Sequence, residues 1–355
     1  MLLKRVPLNL IQAFRGFAAV VVALHHIAGA NFKYFKITLF NGFFLSGWSG
    51  VDFFFVLSGF IITYVHLNDV INRKNLMNFI FKRFVRIYPT YWIIATIALM
   101  VFLKLGKYSL QTDYVYIIKC LLLVQYGTGL FLAVAWTLVY EVFFYLIFGL
   151  CIVLGFKYSK FIIIIWFFLT LLLNLLDSDF TKQIAFNNFI LEFLMGCFIA
   201  YIFLKWNAQL SPYRTLIFRC GLLLFMATWM ISWLTHFASI TALESRISYG
   251  LASSAIILGS ALIDSFKAIK VNKALLLLGD SSYALYLIHS LCLAIIFGYS
   301  KNHFHTYKAH TEFYYLLFTV TLAISLLTST LFHLFMEKNL LKRFYNLSFT
   351  RILQR

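Results

Sequence analysis

The chain has 355 residues, 62% of them hydrophobic and only 12% charged, whereas a soluble domain carries roughly one quarter charged residues. That balance excludes a water-soluble globular protein. The formal net charge of +18 does not point to nucleic acid, because the basic residues lie in short loops between apolar runs rather than along one face or tail.

Eleven apolar segments follow one another: 13–30, 48–67, 88–105, 114–126, 132–155, 161–176, 188–204, 216–236, 247–264, 277–299 and 314–336. Most approach the twenty or so residues that span about 30 Å of hydrocarbon. Lys4 and Arg5 ahead of the first segment, which ends Ala28-Gly29-Ala30, imitate a secretory signal. Arg15 interrupts the apolar stretch, however, and many further spans follow, so the first segment is read as a span. The fourth segment is short and holds Lys119 and Gln125, which suits a re-entrant or interfacial segment rather than a crossing.

Loop charge sets the expected topology. With the N-terminus in the cytoplasm and the fourth segment not crossing, ten spans remain. Most of the 30 Lys and Arg residues then fall inside, including Arg73, Lys74, Lys82, Arg83, Arg86, Lys267, Lys270, Lys273 and the basic C-terminal tail. A crossing fourth segment would send the later basic loops outside. The expected fold is therefore all-α: a polytopic membrane protein of about ten transmembrane helices plus one short re-entrant or interfacial segment, both termini cytoplasmic, in one membrane domain over residues 1–355. The five cysteines lie in apolar stretches without CxxC spacing, so neither a disulfide nor a metal site is expected.

Ionisable groups inside spans cost several kcal/mol on insertion scales and usually face a cavity or a partner. The first span carries Arg15 near its cytoplasmic end and His26 eleven residues on. The two are roughly 16–17 Å apart along the axis and nearly on one face, with His25 about 100° away. Before the third span, FKRFVRIYPTYW holds Arg83 and Arg86 at a spacing that shares one helical face and can clamp a phosphate. Each feature also has a plain structural reading: a snorkelling arginine, a bonded interior histidine, a topogenic basic loop.

Taken together, Arg15, Arg83 and Arg86 at one depth with His26 deeper match the shape of a coenzyme A thioester. Such a molecule has a phosphate-rich head and a long, nearly neutral arm ending at a reactive carbonyl. His26 could then act as general base on an incoming hydroxyl. Further buried acids are Asp52, Glu141, Glu192, Asp280 and Glu337, each with a structural pairing role open to it. Glu141, deep in its span among Trp136, Tyr140 and Tyr145, suits a residue that orients a histidine or binds acceptor hydroxyls. His289, near the midplane beside Tyr283 and Tyr286, either lines the same cavity or satisfies an interior hydrogen bond.

No Walker-type run, GxSxG, HExxH or zinc spacing occurs in the sequence. A secondary transporter or a flippase for a glycan or lipid intermediate stays open as the alternative, since such proteins also hold midplane acids and histidines.

At these residues the sequence resembles the membrane-bound acyltransferase 3 family, which includes bacterial polysaccharide O-acetyltransferases. The likeness rests on Arg15-x10-His26, GVDFFFVLSGFIITY at 50–64, the Arg83–Trp92 block, WTLVYEVFFY from Trp136 to Tyr145, EFLMG at 192–196, and SYALYLIH at 282–289. The WTLVYEVFFY block is similar to the exopolysaccharide acetyltransferase branch. The resemblance implies an enzyme that moves an acyl group, most readily acetyl, from acyl-CoA to a sugar hydroxyl of a cell-surface polysaccharide or its lipid-linked precursor. It implies His26 and Glu141 as active-site residues, Arg15, Arg83 and Arg86 as acetyl-CoA ligands, no metal, and a bacterial inner membrane as location. The sequence departs from the family at Glu337-Lys338-Asn339, where Glu-Arg-Pro is common, so little weight rests on Glu337. It also lacks the periplasmic hydrolase-like domain of larger members, which leaves one membrane domain to take and deliver the acyl group.

Overall fold

A computed structural model describes residues 7–67, 73–104, 114–124, 130–235, 242–267, 269–304 and 311–346. Within them the chain is helical and contains no strand. Apolar backbone in lipid must satisfy its hydrogen bonds within the segment, and a helix does so. In chain order the helices are α1 (Asn9–Phe35), α2 (Ser49–His66), α3 (Arg73–Lys104), α4 (Tyr114–Leu121), α5 (Trp136–Leu154), α6 (Phe156–Leu175), α7 (Phe189–Leu210), α8 (Arg214–Thr235), α9 (Leu243–Phe266), α10 (Lys273–Asp280), α11 (Ser282–Phe304), α12 (Thr311–Phe332) and α13 (Lys338–Asn346).

Among the described residues nine stretches are long and apolar enough to cross a membrane. One of them, Phe189–Thr235, holds 47 residues, about 70 Å as a straight helix and more than twice the hydrocarbon thickness. It is two helices reversed at the turn Ser211–Tyr213, which contains Pro212. Glu192 near the start of α7 faces Arg246 near the start of α9, and Asn207 bonds Ser265 at their far ends (3.1 Å), so these helices run parallel. Arg214 at the start of α8 sits 3.8 Å over the Phe266 ring, and Phe225 packs on Tyr249, so α8 runs the other way. The nine stretches thus hold ten helices long and apolar enough to cross, the number expected from loop charge.

The described part of the weak fourth segment forms α4, only eight residues or about 12 Å long, too short for a helix to span the hydrocarbon. Three aromatic donors of α3 hold its C-terminal end. Tyr91 Oη donates to the Cys120 carbonyl (2.7 Å), Trp92 Nε1 to Leu121 (2.9 Å) and Tyr88 Oη to Leu122 (3.1 Å). The last carbonyls of a helix have no partner within it, and in hydrocarbon they must find one elsewhere.

The described contacts divide the chain into two compact units, each assembled from separate stretches. The first comprises 1–25, 40–69 and 154–282. Its centre is α2 laid against α7, with Phe53, Val56, Leu57, Phe60, Ile199 and Phe203 in one buried cluster. Close approach depends on two glycines. A Cβ at Gly59 would overlap the Phe193 carbonyl oxygen, and one at Gly196 would overlap that of Val56. Small residues of this kind let membrane helices pack backbone to backbone.

Leucine at Gly59 or Gly196 is therefore expected to part α2 from α7 at a cost of about 3 kcal/mol, seen as a lower unfolding temperature in detergent. Gly149→Ala serves as the control. Its Cβ would meet Leu76 Cδ1 at an ordinary 3.6 Å, and the unfolding temperature should not fall.

The first unit also buries an ion cluster. Arg246 pairs with Asp52 and lies 3.4 Å from Glu192, all three side chains fully inaccessible. Its guanidinium is stacked between the rings of Trp48 (4.2 Å) and Phe189 (4.8 Å). One arginine thereby ties α2, α7 and α9 together at the ends where they begin. The acids Asp52 and Glu192 stand out in the sequence. Arg246, one residue before the ninth apolar segment, does not.

Candidate active site

The second unit comprises 26–39, 70–153 and 283–355 and contains four of the five residues expected at the site: His26 on α1, Arg83 and Arg86 on α3, and Glu141 on α5. α11 gathers these helices. Tyr283, Tyr286 and His289 recur every third residue and so share one face. Each polar tip reaches a different neighbour. Tyr283 Oη donates to the Ile87 carbonyl of α3 (2.9 Å), and Tyr286 Oη donates to the Val134 carbonyl just before α5 (2.8 Å) while contacting Thr137 Oγ1 (2.8 Å). His289 Nε2 lies 3.2 Å from His26 Nδ1. The SYALYLIH block is the clamp that fixes α1, α3 and α5 around the site. Its three-residue polar period is the sequence signal for this role.

His289 is fully buried, and its other ring nitrogen, Nδ1, is 2.9 Å from the Leu285 carbonyl one turn back. The two imidazoles meet at 5.0 Å between centroids, tilted by 45°. His25, the neighbour of His26 in sequence, turns away as helical geometry predicts and bonds the Leu45 carbonyl through Nδ1 (2.7 Å).

The arginines are held by aromatic faces. Arg83 lies 5.7 Å from the centroid of Phe79 and 5.5 Å from that of Tyr145, and Arg86 lies 5.5 Å over Tyr283. The ring quadrupole attracts a cation without neutralising it. Among the described residues neither arginine pairs with a carboxylate, and the buried Nε of Arg83 has no hydrogen-bond partner. A buried guanidinium donor without a protein acceptor suits an anionic ligand. Glu141 accepts a hydrogen bond from Tyr145 Oη on the same helix, so Tyr145 joins the acid to the ring that flanks Arg83.

Arg15 belongs to the first unit, where its Nη1 donates to Gln12 Oε1 (2.8 Å) and Gln12 in turn donates to Asp280 Oδ1 (2.5 Å). Asp280 is thus a structural acceptor near a span end. Glu337, for which a structural pairing is expected, has one. It is 1% exposed, bonded to His333 Nδ1 at 2.7 Å, and set in a single π-helical turn, His333–Glu337. Such turns widen a helix locally and recur near functional sites.

A family model described as an acyltransferase domain, that of acyltransferase 3, matches residues 8–332. The chain belongs to the acyltransferase 3 family. It is a multi-pass membrane acyltransferase. Among curated proteins it is similar to one described as "Putative acetyltransferase ORF330" of Acidianus two-tailed virus. The two are 26% identical over 301 residues, covering 79% of this chain and 82% of the viral one. No solved structure matches the chain. Within the acyltransferase 3 family match lie all five expected site residues and His289.

Proposed function

We propose that the enzyme transfers an acetyl group from acetyl-CoA to a sugar hydroxyl of a surface polysaccharide or its lipid-linked precursor, at a bacterial inner membrane with both chain termini in the cytoplasm. The observation that carries the donor is a pair of arginines, Arg83 and Arg86, that lie against aromatic rings and pair with no carboxylate among the described residues, in the same unit as His26, a partly buried histidine 3.2 Å from His289. Phosphates of the CoA head fit guanidinium groups that pair with no carboxylate among the described residues. Arg15, eleven residues before His26 on α1, is assigned to the donor as well on the strength of that spacing. The carbohydrate acceptor rests on likeness to the polysaccharide-modifying branch of the family.

In this reading His26 takes the proton of the acceptor hydroxyl while the hydroxyl oxygen attacks the thioester carbonyl carbon. A C–O bond forms, the C–S bond breaks, and the proton held by His26 passes to the departing CoA sulfur. Glu141, bonded to Tyr145, accepts hydrogen bonds from acceptor hydroxyls and orients them. Membrane lipids surround the enzyme, and no metal or nucleic acid enters the scheme.

Arg83→Ala and Arg86→Ala are each expected to raise the acetyl-CoA requirement roughly tenfold or more, since a hydrogen bond to a charged group contributes about 1.5–3 kcal/mol. The acceptor requirement should change much less. Binding of a CoA analogue to each variant checks this, and unchanged affinity in both would return the segment to a purely topogenic role.

A further inference from the structure

We infer that His289 is a positioning residue that sets the proton arrangement of His26 and makes Nε2 of His26 the basic nitrogen. The inference rests on the reading of His26 as general base. It follows from two contacts. His289 Nδ1 is 2.9 Å from the Leu285 carbonyl oxygen, and His289 Nε2 is 3.2 Å from His26 Nδ1.

A carbonyl oxygen has only lone pairs, so His289 Nδ1 must carry the hydrogen there. In the neutral ring Nε2 of His289 is then bare and can only accept. The hydrogen between the rings belongs to His26 Nδ1, and His26 Nε2 is left as the unprotonated nitrogen. The opposite arrangement would set the Nδ1 lone pair of His289 against the lone pairs of Leu285, inside a fully buried environment where such a mismatch is costly.

The same pair serves the reaction. When His26 accepts the hydroxyl proton at Nε2 it becomes an imidazolium, and the Nδ1–H already directed at His289 Nε2 becomes a charge-assisted hydrogen bond. Through this bond the imidazolium charge is stabilised by a neutral acceptor, His289 Nε2. Tyr286, anchored at Val134 and Thr137, lies 6.0 Å from the His289 ring between centroids and limits its freedom.

Two variants separate positioning from packing. His289→Leu removes the acceptor and is expected to lower kcat for acetyl transfer about 100-fold with the KM for acetyl-CoA unchanged. His289→Gln can present its Oε1 near the position of Nε2 and is expected to recover most of that loss. Protein labelled with [15N]histidine and held in lipid nanodiscs reads the arrangement without any turnover. The His26 signals, identified by their loss in His26→Ala, should show hydrogen on Nδ1 in the wild type and in His289→Gln, and a mixture of tautomers in His289→Leu.

The inference is overturned if His26 carries its hydrogen on Nε2 in the wild type, or if His289→Leu turns over at the wild-type rate. It is also overturned if Leu and Gln variants lose kcat equally while the His26 tautomer stays unchanged. If instead the wild type transfers no acetyl group through His26, the base reading fails, while the tautomer measurement still decides the histidine pair.

Discussion

Replacing His26 by alanine is expected to lower acyl transfer by at least 100-fold, within the range of roughly 10²–10⁴ that general-base catalysis contributes. Stability should fall by no more than about 1–3 kcal/mol, the cost of leaving the buried Nε2 of His289 without this partner, because His26 is only partly buried and His289 keeps its own bond to Leu285. The combination is diagnostic. A structural histidine would lose stability on truncation with little specific effect on turnover, whereas a base loses turnover in a protein that still inserts and still binds acetyl-CoA through Arg83 and Arg86. Turnover and detergent unfolding of the same preparation measure both halves. Wild-type turnover in a well-inserted His26→Ala protein would remove the catalytic assignment.

The second large effect lies in the first unit. Arg246→Leu leaves Asp52 and Glu192 buried without a counter-charge, and removing one partner of a buried ion cluster costs about 3–5 kcal/mol. The stacking of the guanidinium between Trp48 and Phe189 is lost with it. Replacing the whole cluster by Asp52→Asn, Glu192→Gln and Arg246→Met is expected to recover much of that stability, because uncharged residues of similar volume carry no desolvation penalty. Thermal unfolding in one detergent, with the single and triple variants side by side, checks the prediction. An unchanged unfolding temperature for Arg246→Leu would show that the cluster does not hold α2, α7 and α9 together.

The fold was legible because lipid leaves so few choices. Apolar length alone marks the candidate spans, and the fourth segment, which loop charge argues against crossing, forms a helix of only eight residues. Helical periodicity correctly turned His25 away from His26 and put Arg83 and Arg86 on a common face. Pairings between distant parts of the chain were not legible. The carboxylates Asp52 and Glu192 announced a buried cation, but Arg246 sits at the lip of a span, where an arginine is ordinarily read as a snorkelling residue. Likewise the aromatic residues Tyr88, Tyr91 and Trp92 look like interfacial packing in sequence, whereas their polar atoms hold the carbonyls at the end of α4.

His289 shows the same limit from the functional side. Its spacing in the sequence is compatible with a cavity residue or an interior hydrogen bond, and only the structure shows that its partner is His26, at 3.2 Å. The Tyr283, Tyr286, His289 stripe did carry a signal. Three polar tips at a three-residue period inside an apolar helix require three buried acceptors or donors, and each of them is found on a different helix or the turn leading into one.

Transfer of an acyl group from CoA to a glycan can be followed with a label. The purified protein is reconstituted in vesicles with acetyl-CoA labelled in the acetyl group and with the surface polysaccharide, or its lipid-linked precursor, from cells lacking the protein. Protein-dependent label should appear in the glycan as a base-labile ester, with CoA thiol released in equal amount. Movement of the glycan across the vesicle membrane with no label incorporated and no CoA released would contradict it.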